Sequence, residues 1–290
     1  MDVKDEHKIY LHIGLHKTGS THLQTDVFPL LGLDSVNALV GRRIDHFGLE
    51  ASGKKLLISE ENLSACPYSG SPPSALEKPW IERSCNAIRN LAVMFPQAHV
   101  VLGVRRHRGW LLSLYKQYLH QGGLKPFDAF YDIGSRDAGV LKQSDLCFRP
   151  RIELLHTLFP NRVFVYDCAD LMRNRAAVLG PLCDFLGEEV PDDLWASPPR
   201  MANKGVNFHQ ARLLRMLNHV DRFRRIRRTW TVSRVLCQKI LSDWPRRPLE
   251  LPHDVRKYVD EFYSDDWAYA SKSCHKPGGV KEMPVAASAL

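Results

Sequence analysis

A glycine-framed segment near the start of the chain has the residue types that hold an anion. It reads Gly14-Leu-His-Lys17-Thr-Gly19-Ser20-Thr21, follows a short apolar run and precedes a helical pattern. At such a junction the backbone N–H groups and the helix dipole point at a bound phosphate. The same residues also fit an ordinary helix start, with Lys17 in solvent and the hydroxyl groups acting as caps.

The position of the lysine separates this loop from other phosphate loops. The loop of nucleoside-triphosphate-binding proteins reads G-x-x-x-x-G-K-[ST], with the lysine directly after the second glycine. Here Ser20 occupies that place, and Lys17 stands three positions earlier. The dinucleotide pattern G-x-G-x-x-G is not present at this junction either. The loop therefore predicts phosphate binding and argues against a nucleotide-triphosphate kinase.

A second candidate anion site follows the apolar run His99–Val104. Arg105 comes directly after this run, and Ser113 lies eight residues further on, in the next helical stretch. A guanidinium fork together with a hydroxyl donor suits a dianionic phosphate. Arg106 and Arg108 are near enough in sequence to exchange roles with Arg105. Taken singly, Arg105 also fits a surface arginine at a strand end, and Ser113 fits a helix-surface hydroxyl.

The two motifs together resemble those of sulfotransferases that use 3′-phosphoadenosine 5′-phosphosulfate (PAPS), particularly the bacterial members. The stretch H-K-T-G-S-T-x-L-Q after the first strand resembles their 5′-phosphosulfate loop. The pair Arg105 and Ser113 resembles their grip on the 3′-phosphate. The family often has proline two residues after the arginine, where this sequence has His107.

The resemblance implies specific roles for these residues. It implies that Lys17 contacts the bridging oxygen of the donor and that no metal is required. The residues implied to bind the 5′-phosphate are Thr18, Gly19, Ser20 and Thr21, alongside Lys17. In the family a further loop closes over the nucleotide, and the residues that fall at its position here are Asn203, Lys204 and Gly205. The product on the donor side is then adenosine 3′,5′-bisphosphate.

Weaker likenesses occur elsewhere in the chain. Ser59-Glu-Glu-Asn-Leu63 after the second strand resembles the S-x-E-x-L stretch of bacterial members, and residues 163–187 resemble their late strand and the helix after it. The resemblance is weakest over residues 121–160 and 221–250.

Sulfuryl transfer to an alcohol or amine needs a general base. Glu61 is the first candidate, Glu60 the second, and His16 and His107 come third. Glu61 equally fits a carboxylate at a helix start that is stabilised by the dipole. Asp167 follows an apolar strand and has the place of a metal-binding aspartate of a nucleotide triphosphatase, but a strand-end cap is the favoured interpretation.

Short apolar strands alternate with helical patterns over about the first 190 residues. Strands are predicted at 9–14, 56–58, 99–104 and 163–166, and helices at 20–31, 79–95, around 111–118, at 150–159 and at 178–186, with a loop over 121–147. Continuous apolar strands of this kind predict a parallel sheet covered on both faces. We therefore expect a single α/β domain over residues 1–275, with the P-loop-like sulfotransferase fold that the resemblance implies.

The pattern becomes helical after residue 188, with segments near 207–220, 231–242 and 252–264. A helical accessory or lid region is predicted over about 207–250, and the Gly-, Pro- and Ala-rich stretch 276–290 is predicted to be a flexible tail. The basic run Arg222–Arg228 fits a solvated helix face. It also fits a patch that attracts PAPS or an anionic acceptor.

Composition limits the function classes. The chain has 290 residues and a formal net charge of +8, which suits a partner with several negative charges. No nucleic-acid-binding motif accompanies that charge, so no nucleic-acid partner is expected. The seven cysteines are odd in number and form no C-x-x-C pair, which indicates a reducing compartment. The sequence shows neither a signal peptide nor a membrane-spanning run, and we expect a cytoplasmic protein.

The sequence leaves the acceptor class open. A hydroxyl or amine of a small molecule, a carbohydrate or a lipid would each fit, because residues 64–80, 121–147 and 221–250, expected to shape the acceptor pocket, match the family least. A homodimer is one of the states that the sequence allows. The alternative functions are a P-loop-type kinase of a small molecule and a basic module, centred on residues 222–228, that binds nucleic acid or anionic lipid.

Overall fold

The computed structural model describes residues 8–37, 55–69, 74–196, 207–223 and 247–275. The predictions for the loop 203–205, the helix 231–242 and the tail 276–290 lie outside this described part. The side chains of the basic run Arg222–Arg228 lie outside it as well.

Five strands form one sheet in the spatial order β2-β3-β1-β4-β5. They are β1 Lys8–His12, β2 Asp34–Asn37, β3 Lys55–Ser59, β4 His99–Val104 and β5 Val163–Asp167. Every neighbouring pair in the sheet is parallel. The predicted α/β fold with a central parallel sheet flanked by helices is therefore confirmed. Strand β2 was not predicted, because its sequence D-S-V-N contains only one apolar residue.

Helices follow β1, β3, β4 and β5 in the described part of the chain. They are α1 Ser20–His22, α2 Trp80–Met94, α3 His107–His120, α4 Phe127–Phe130, α5 Arg149–Leu158, α6 Cys168–Arg173, α7 Arg175–Leu186, α8 Asp193–Ala196, α9 Phe208–Phe223, α10 His253–Phe262 and α11 Ser264–Ser273. A wide turn over Leu23–Val27 and a tight turn over Phe28–Leu30 extend α1, so helical backbone covers nearly all of the predicted segment 20–31. The helix predicted near 252–264 corresponds to α10, and α11, which begins directly after Tyr263, was not predicted.

The hydrophobic core lies in two layers, one on each face of the sheet. Val100 and Leu102 of β4 face the layer that contains Trp110 of α3. Val101, between them, faces the opposite layer with Leu182 of α7. This alternation follows from the two-residue period of a strand. Strand β4 can bury consecutive apolar residues only because helices cover both faces of the sheet.

The strand order creates a crevice at the carboxyl edge of the sheet. Strands β1 and β4 are neighbours, but the chain leaves β1 toward the β2 side and leaves β4 toward β5. The loops after two such strands diverge, and ligands of open α/β sheets bind in the gap between them. Lys17 follows β1 and Arg105 follows β4, so the topology places both candidate anion motifs at this one crevice.

Asp266 of α11 ties the C-terminal helices to the starts of α3 and α5. Its carboxylate accepts hydrogen bonds from His107 Nε2 at 3.0 Å and from the backbone N–H groups of Phe148 and Arg149, both at 2.9 Å. The His107 ring also stacks on Tyr263 at 4.4 Å between centroids. Burial raises the pKa of Asp266, but the hydrogen bonds outweigh it and bring the pKa below its usual value.

Two observations bear on the expected cellular context. No helix within the described ranges is long and apolar enough to cross a membrane. The six cysteines located in the described part, Cys66, Cys85, Cys147, Cys168, Cys183 and Cys274, are all free thiols.

We predict that the conservative change Asp266→Asn destabilises the fold. The amide loses the negative charge and presents N–H donors toward groups that are themselves donors. We expect a free energy of unfolding lower by about 1–3 kcal/mol, measured by urea denaturation near neutral pH. The exposed neighbour Asp265 gives the matched control Asp265→Asn. Equal effects of the two changes would show that Asp266 is not the anchor.

Candidate functional site

The loop between β1 and α1 has a backbone conformation that few residues adopt at low cost. Lys17 has a φ of 68°, and Gly19 has a φ of 101°. For a residue other than glycine, the left-handed region costs about 1–2 kcal/mol. A Cβ on Gly14 would lie 2.3 Å from the Ser20 hydroxyl, so glycine is required there for close packing. Strain of this kind persists where the surroundings enforce it, as they commonly do at functional sites.

Two contacts brace this loop from within. The Thr18 hydroxyl donates to the Leu15 carbonyl at 2.6 Å, and the Thr18 backbone N–H donates to the same oxygen at 3.3 Å. Trp110 of α3 donates its indole N–H to the His16 carbonyl at 2.7 Å. Thr18 is fully buried. Its two donors are therefore engaged by the protein, and it acts as a brace of the loop.

The start of α1 is left without a side-chain cap. Gly19 is the N-cap residue, and no side chain accepts from the first turn. The first N–H groups of a helix have no partners within the helix. The Ser20 side chain is only 1% exposed, and its hydroxyl lies near enough to the Glu61 carboxylate to lower the pKa of that group, although it makes no hydrogen bond of good geometry within the described residues. Thr21 is exposed beside it. These unsatisfied donors are what an anion at this position would use.

Arg105 joins the second motif to the first. Its Nη1 donates to the Lys17 carbonyl at 3.1 Å. Arg106 is exposed, and Arg108 pairs with Asp260 at 3.2 Å on the surface. Of the three neighbouring arginines, Arg105 is thus the one whose guanidinium contacts the loop.

Ser113 lies on α3, one helical turn after Gly109. Two guanidinium nitrogens of Arg105 lie beside Gly109, because a Cβ built on that glycine would be 3.5 Å from Nε and 3.9 Å from Nη2. Residues four apart share a helix face. Ser113 is half-exposed on the face along which Arg105 lies. The spacing of Arg105 and Ser113 therefore corresponds to proximity in the fold.

The two adjacent glutamates after β3 differ in their surroundings. Glu60 is buried, and its Oε1 accepts the Asn62 backbone N–H at 3.0 Å, so it caps the tight turn Glu61–Ser64. Glu61 is half-buried near Lys17 and Ser20. Burial raises the pKa of Glu61, while the positive charge of Lys17 and the Ser20 hydroxyl act in the opposite direction. The structure brings Glu61 to the loop and gives Glu60 a structural role.

The turn that carries Glu61 is held by residues that sequence reasoning missed. Ser64 Oγ donates to the Glu61 carbonyl at 2.9 Å, and Trp80 Nε1 donates to the Ala65 carbonyl at 2.9 Å. The buried Arg151 guanidinium lies 4.9 Å from the centroid of the Trp80 ring. No short sequence pattern around these residues predicts the contacts. A tryptophan at the first position of a helix is the one signal that they leave in the sequence.

The candidate histidines take different places. His16 is buried beside Lys17; burial, then the lysine charge, lowers the pKa of His16 to about 4. Its Nδ1 has no hydrogen-bond partner among the described residues. His107 instead shares its Nε2–H between Asp266 and the Leu146 carbonyl, at 3.0 and 3.1 Å. His107 therefore anchors α3, which leaves Glu61 and His16 as the candidate bases at the loop.

A chain of buried polar side chains runs beneath the loop and was not foreseen. Gln24 Nε2 donates to Ser59 Oγ at 3.0 Å, and Ser59 Oγ lies 2.7 Å from His12 Nδ1. His12 Nε2 lies 3.4 Å from the Tyr166 hydroxyl, which interacts with the Thr18 hydroxyl. The signal in the sequence is a polar residue at or next to the last position of three strands, at His12, Ser59 and Tyr166, where apolar residues otherwise prevail.

A consistent set of proton positions can be assigned along this chain. Ser59 Oγ receives the Gln24 proton and is free to donate its own to His12 Nδ1. His12 then carries its proton on Nε2, which points toward the Tyr166 hydroxyl. The chain ends at the Thr18 hydroxyl, which donates to the Leu15 carbonyl. Burial lowers the pKa of His12 to about 3, so the imidazole is neutral. A fully satisfied buried network of this kind rigidifies what rests on it.

Asp167 has the role that the sequence favoured. Its side chain accepts the Ala169 backbone N–H at 2.9 Å and caps α6. Burial raises the pKa of Asp167, and Arg105 opposes that shift from nearby. The carboxylate thus faces the start of its own helix. Asn203, Lys204 and Gly205, the proposed closing loop, lie outside the described residues.

Fold and site together define an α/β protein with a candidate anion-binding loop at the switch point of a parallel sheet. No protein-family model matches this sequence, and neither does any curated protein sequence. What the site does must therefore be inferred from its own residues.

We predict that His12 makes stability fall in mild acid. The unfolded chain takes up a proton near the usual histidine pKa of 6.5, whereas folded His12 resists protonation down to about 3. Its contribution is therefore complete above 6.5 and is lost as pH falls from 6.5 toward 3. The change His12→Asn removes this titration, so the slope of unfolding free energy against pH becomes shallower by about 1.4 kcal/mol per pH unit.

The measurement is urea denaturation at a series of pH values. The exposed His253 supplies the control His253→Asn, which should leave the slope unchanged. If His12→Asn unfolded along the same slope as the wild type, the buried neutral histidine would be excluded as its source.

Proposed function

We propose that this protein is a PAPS-dependent sulfotransferase, with the P-loop-like sulfotransferase fold. The observation that carries the proposal is the hydrogen bond from Arg105 to the Lys17 carbonyl, at the crevice between β1 and β4. It joins an anion loop with a displaced lysine to a second cationic site. A donor with phosphate groups at both its 5′ and 3′ positions needs two such sites side by side.

The site fits the two ends of this donor. The uncapped start of α1 and the Ser20 hydroxyl, which lies beside the Glu61 carboxylate, supply neutral donors for the 5′-phosphate. Arg105 uses Nη1 on the loop and keeps its Nε–Nη2 edge for a second anion, in the arrangement that binds phosphate with two parallel hydrogen bonds. Ser113 adds a hydroxyl to this second site.

Lys17 and Glu61 supply the chemistry. A bond forms between the acceptor oxygen or nitrogen and sulfur while the bond from sulfur to the bridging phosphate oxygen breaks. Lys17 stabilises the negative charge that grows on that oxygen, which leaves with adenosine 3′,5′-bisphosphate. Glu61 takes the proton of the acceptor. Burial raises the pKa of Glu61 toward the range in which a carboxylate is an effective base near neutral pH.

A P-loop kinase finds less support at this site. Ser20 occupies the place of the kinase lysine, and Asp167, the candidate metal-binding aspartate, caps α6. Because the Asp167 carboxylate already serves a backbone N–H group, it is poorly suited to hold Mg²⁺ against a triphosphate.

We predict that adenosine 3′,5′-bisphosphate stabilises the protein without Mg²⁺. At about one hundred times the dissociation constant the melting temperature should rise by about 5 °C. Thermal unfolding in the presence of a chelator measures this shift. The change Arg105→Met should reduce it, whereas the control Arg108→Met should not, because Arg108 pairs with Asp260 away from the loop. A shift that requires Mg-ATP instead would contradict the proposal and favour a kinase.

We predict that Lys17→Ala impairs turnover far more than donor binding. A group that stabilises charge only in the transition state should cost about a hundredfold or more in kcat when removed. Release of adenosine 3′,5′-bisphosphate from PAPS, with a panel of alcohols and amines, reports turnover, and calorimetry with the bisphosphate reports binding. Lys17→Arg, which keeps the charge, is the matched control. Equal losses of turnover and affinity would reduce Lys17 to an anchor.

A further inference from the structure

One face of α3 continues the cationic site beyond Ser113. Gly109, Ser113 and Lys116 follow each other at intervals of four and three residues, which places them on one side of the helix. The Nε–Nη2 edge of Arg105 lies beside Gly109, at the lower end of this face. The absence of a side chain at Gly109 leaves the guanidinium room to lie along the helix toward Ser113 and Lys116.

Lys116 lies near Arg105, a cation whose charge also acts on the Asp167 carboxylate. The two side chains are both half-buried, and no carboxylate of the described ranges forms an ion pair with either. Burial, and after it the charge of Arg105, lowers the pKa of Lys116. Two like charges brought together in this way destabilise each other, and an anion between them removes the repulsion.

The hydroxyl between the two cations is also available. Within the part of the chain that the structure describes, Ser113 Oγ makes no hydrogen bond, and the Arg105 guanidinium makes one, to the Lys17 carbonyl. Arg105, Ser113 and Lys116 thus offer an unused guanidinium edge, a hydroxyl and an ammonium group along one helix face. A phosphate monoester, with close to two negative charges and three acceptor oxygens, matches that set.

We propose that Lys116 is the third ligand of the anion held by Arg105 and Ser113, and that it makes the site select donors with a 3′-phosphate over those with a 3′-hydroxyl. The identity of the anion rests on the proposed function. The presence of an oxyanion site at Arg105, Ser113 and Lys116 does not, because it follows from charge and placement alone.

The first experiment measures selectivity for the 3′-phosphate. Calorimetry compares the affinities of adenosine 3′,5′-bisphosphate and adenosine 5′-monophosphate for the wild type, Lys116→Met and Lys116→Arg. Lys116→Met should weaken the bisphosphate by about tenfold or more, as expected for one charge-assisted hydrogen bond. It should leave the monophosphate unchanged, and Lys116→Arg should restore most of the loss. Lys125→Met, which removes an exposed lysine after the same helix, is the control and should change neither affinity.

The second experiment needs no nucleotide. Acetylation of Lys116 by a limiting amount of acetic anhydride is followed by mass spectrometry with and without inorganic phosphate. Phosphate should slow acetylation of Lys116 and leave that of Lys125 unchanged, since an anion between Lys116 and Arg105 stabilises the protonated amine.

The outcomes separate this inference from the proposed function. If the wild type binds the bisphosphate and Lys116→Met binds both nucleotides as the wild type does, the role of Lys116 is wrong and the function stands. If the bisphosphate fails to bind while phosphate still protects Lys116, the function is wrong and the anion site stands. Equal weakening of both nucleotides would overturn the selectivity, because it would show a general charge effect.

Discussion

The contact on which the site depends is the hydrogen bond from the Arg105 guanidinium to the Lys17 carbonyl. Lys17 has a left-handed backbone that a lysine does not adopt freely, and the bond holds its peptide from outside the loop. It can form only because β1 and β4 are neighbours whose chains leave in opposite directions. The order of the strands therefore determines whether the two motifs can meet, because a sheet with another strand between β1 and β4 would separate them.

The network of buried side chains beneath the loop is polar but uncharged. His12 is fully buried and neutral, and it takes its place between Ser59 and Tyr166 without adding charge. A protonated histidine there would have no carboxylate partner in the network and would add a buried positive charge beneath the loop. The neutral chain fixes the positions of the loop atoms, while Lys17 and Arg105 supply the positive potential. Rigidity and charge thus come from different groups of residues.

The sequence predicts those parts of the structure that depend on local patterns. Continuous apolar strands, the glycine-framed loop and the spacing from Arg105 to Ser113 are all visible along the chain, and the parallel sheet agrees with them. The sequence does not predict strand β2, because this segment has a single apolar residue and becomes a strand through its pairing with β3. The contact of Ser59 with His12 joins residues 47 positions apart, and no spacing rule reaches that far.

Residues of the same type that lie close together in the sequence have different roles, and only the fold distinguishes them. Glu60 and Glu61 are interchangeable in composition, but Glu60 turns back to cap the backbone at Asn62 and Glu61 faces Lys17. Arg105 and Arg108 divide in the same way, since one contacts the loop and the other pairs with Asp260 on the surface. In each pair the side-chain direction is set by where a strand ends and a helical turn begins. For the adjacent glutamates, a one-residue shift of that boundary would exchange the roles, so the position of the strand end determines which carboxylate reaches the loop.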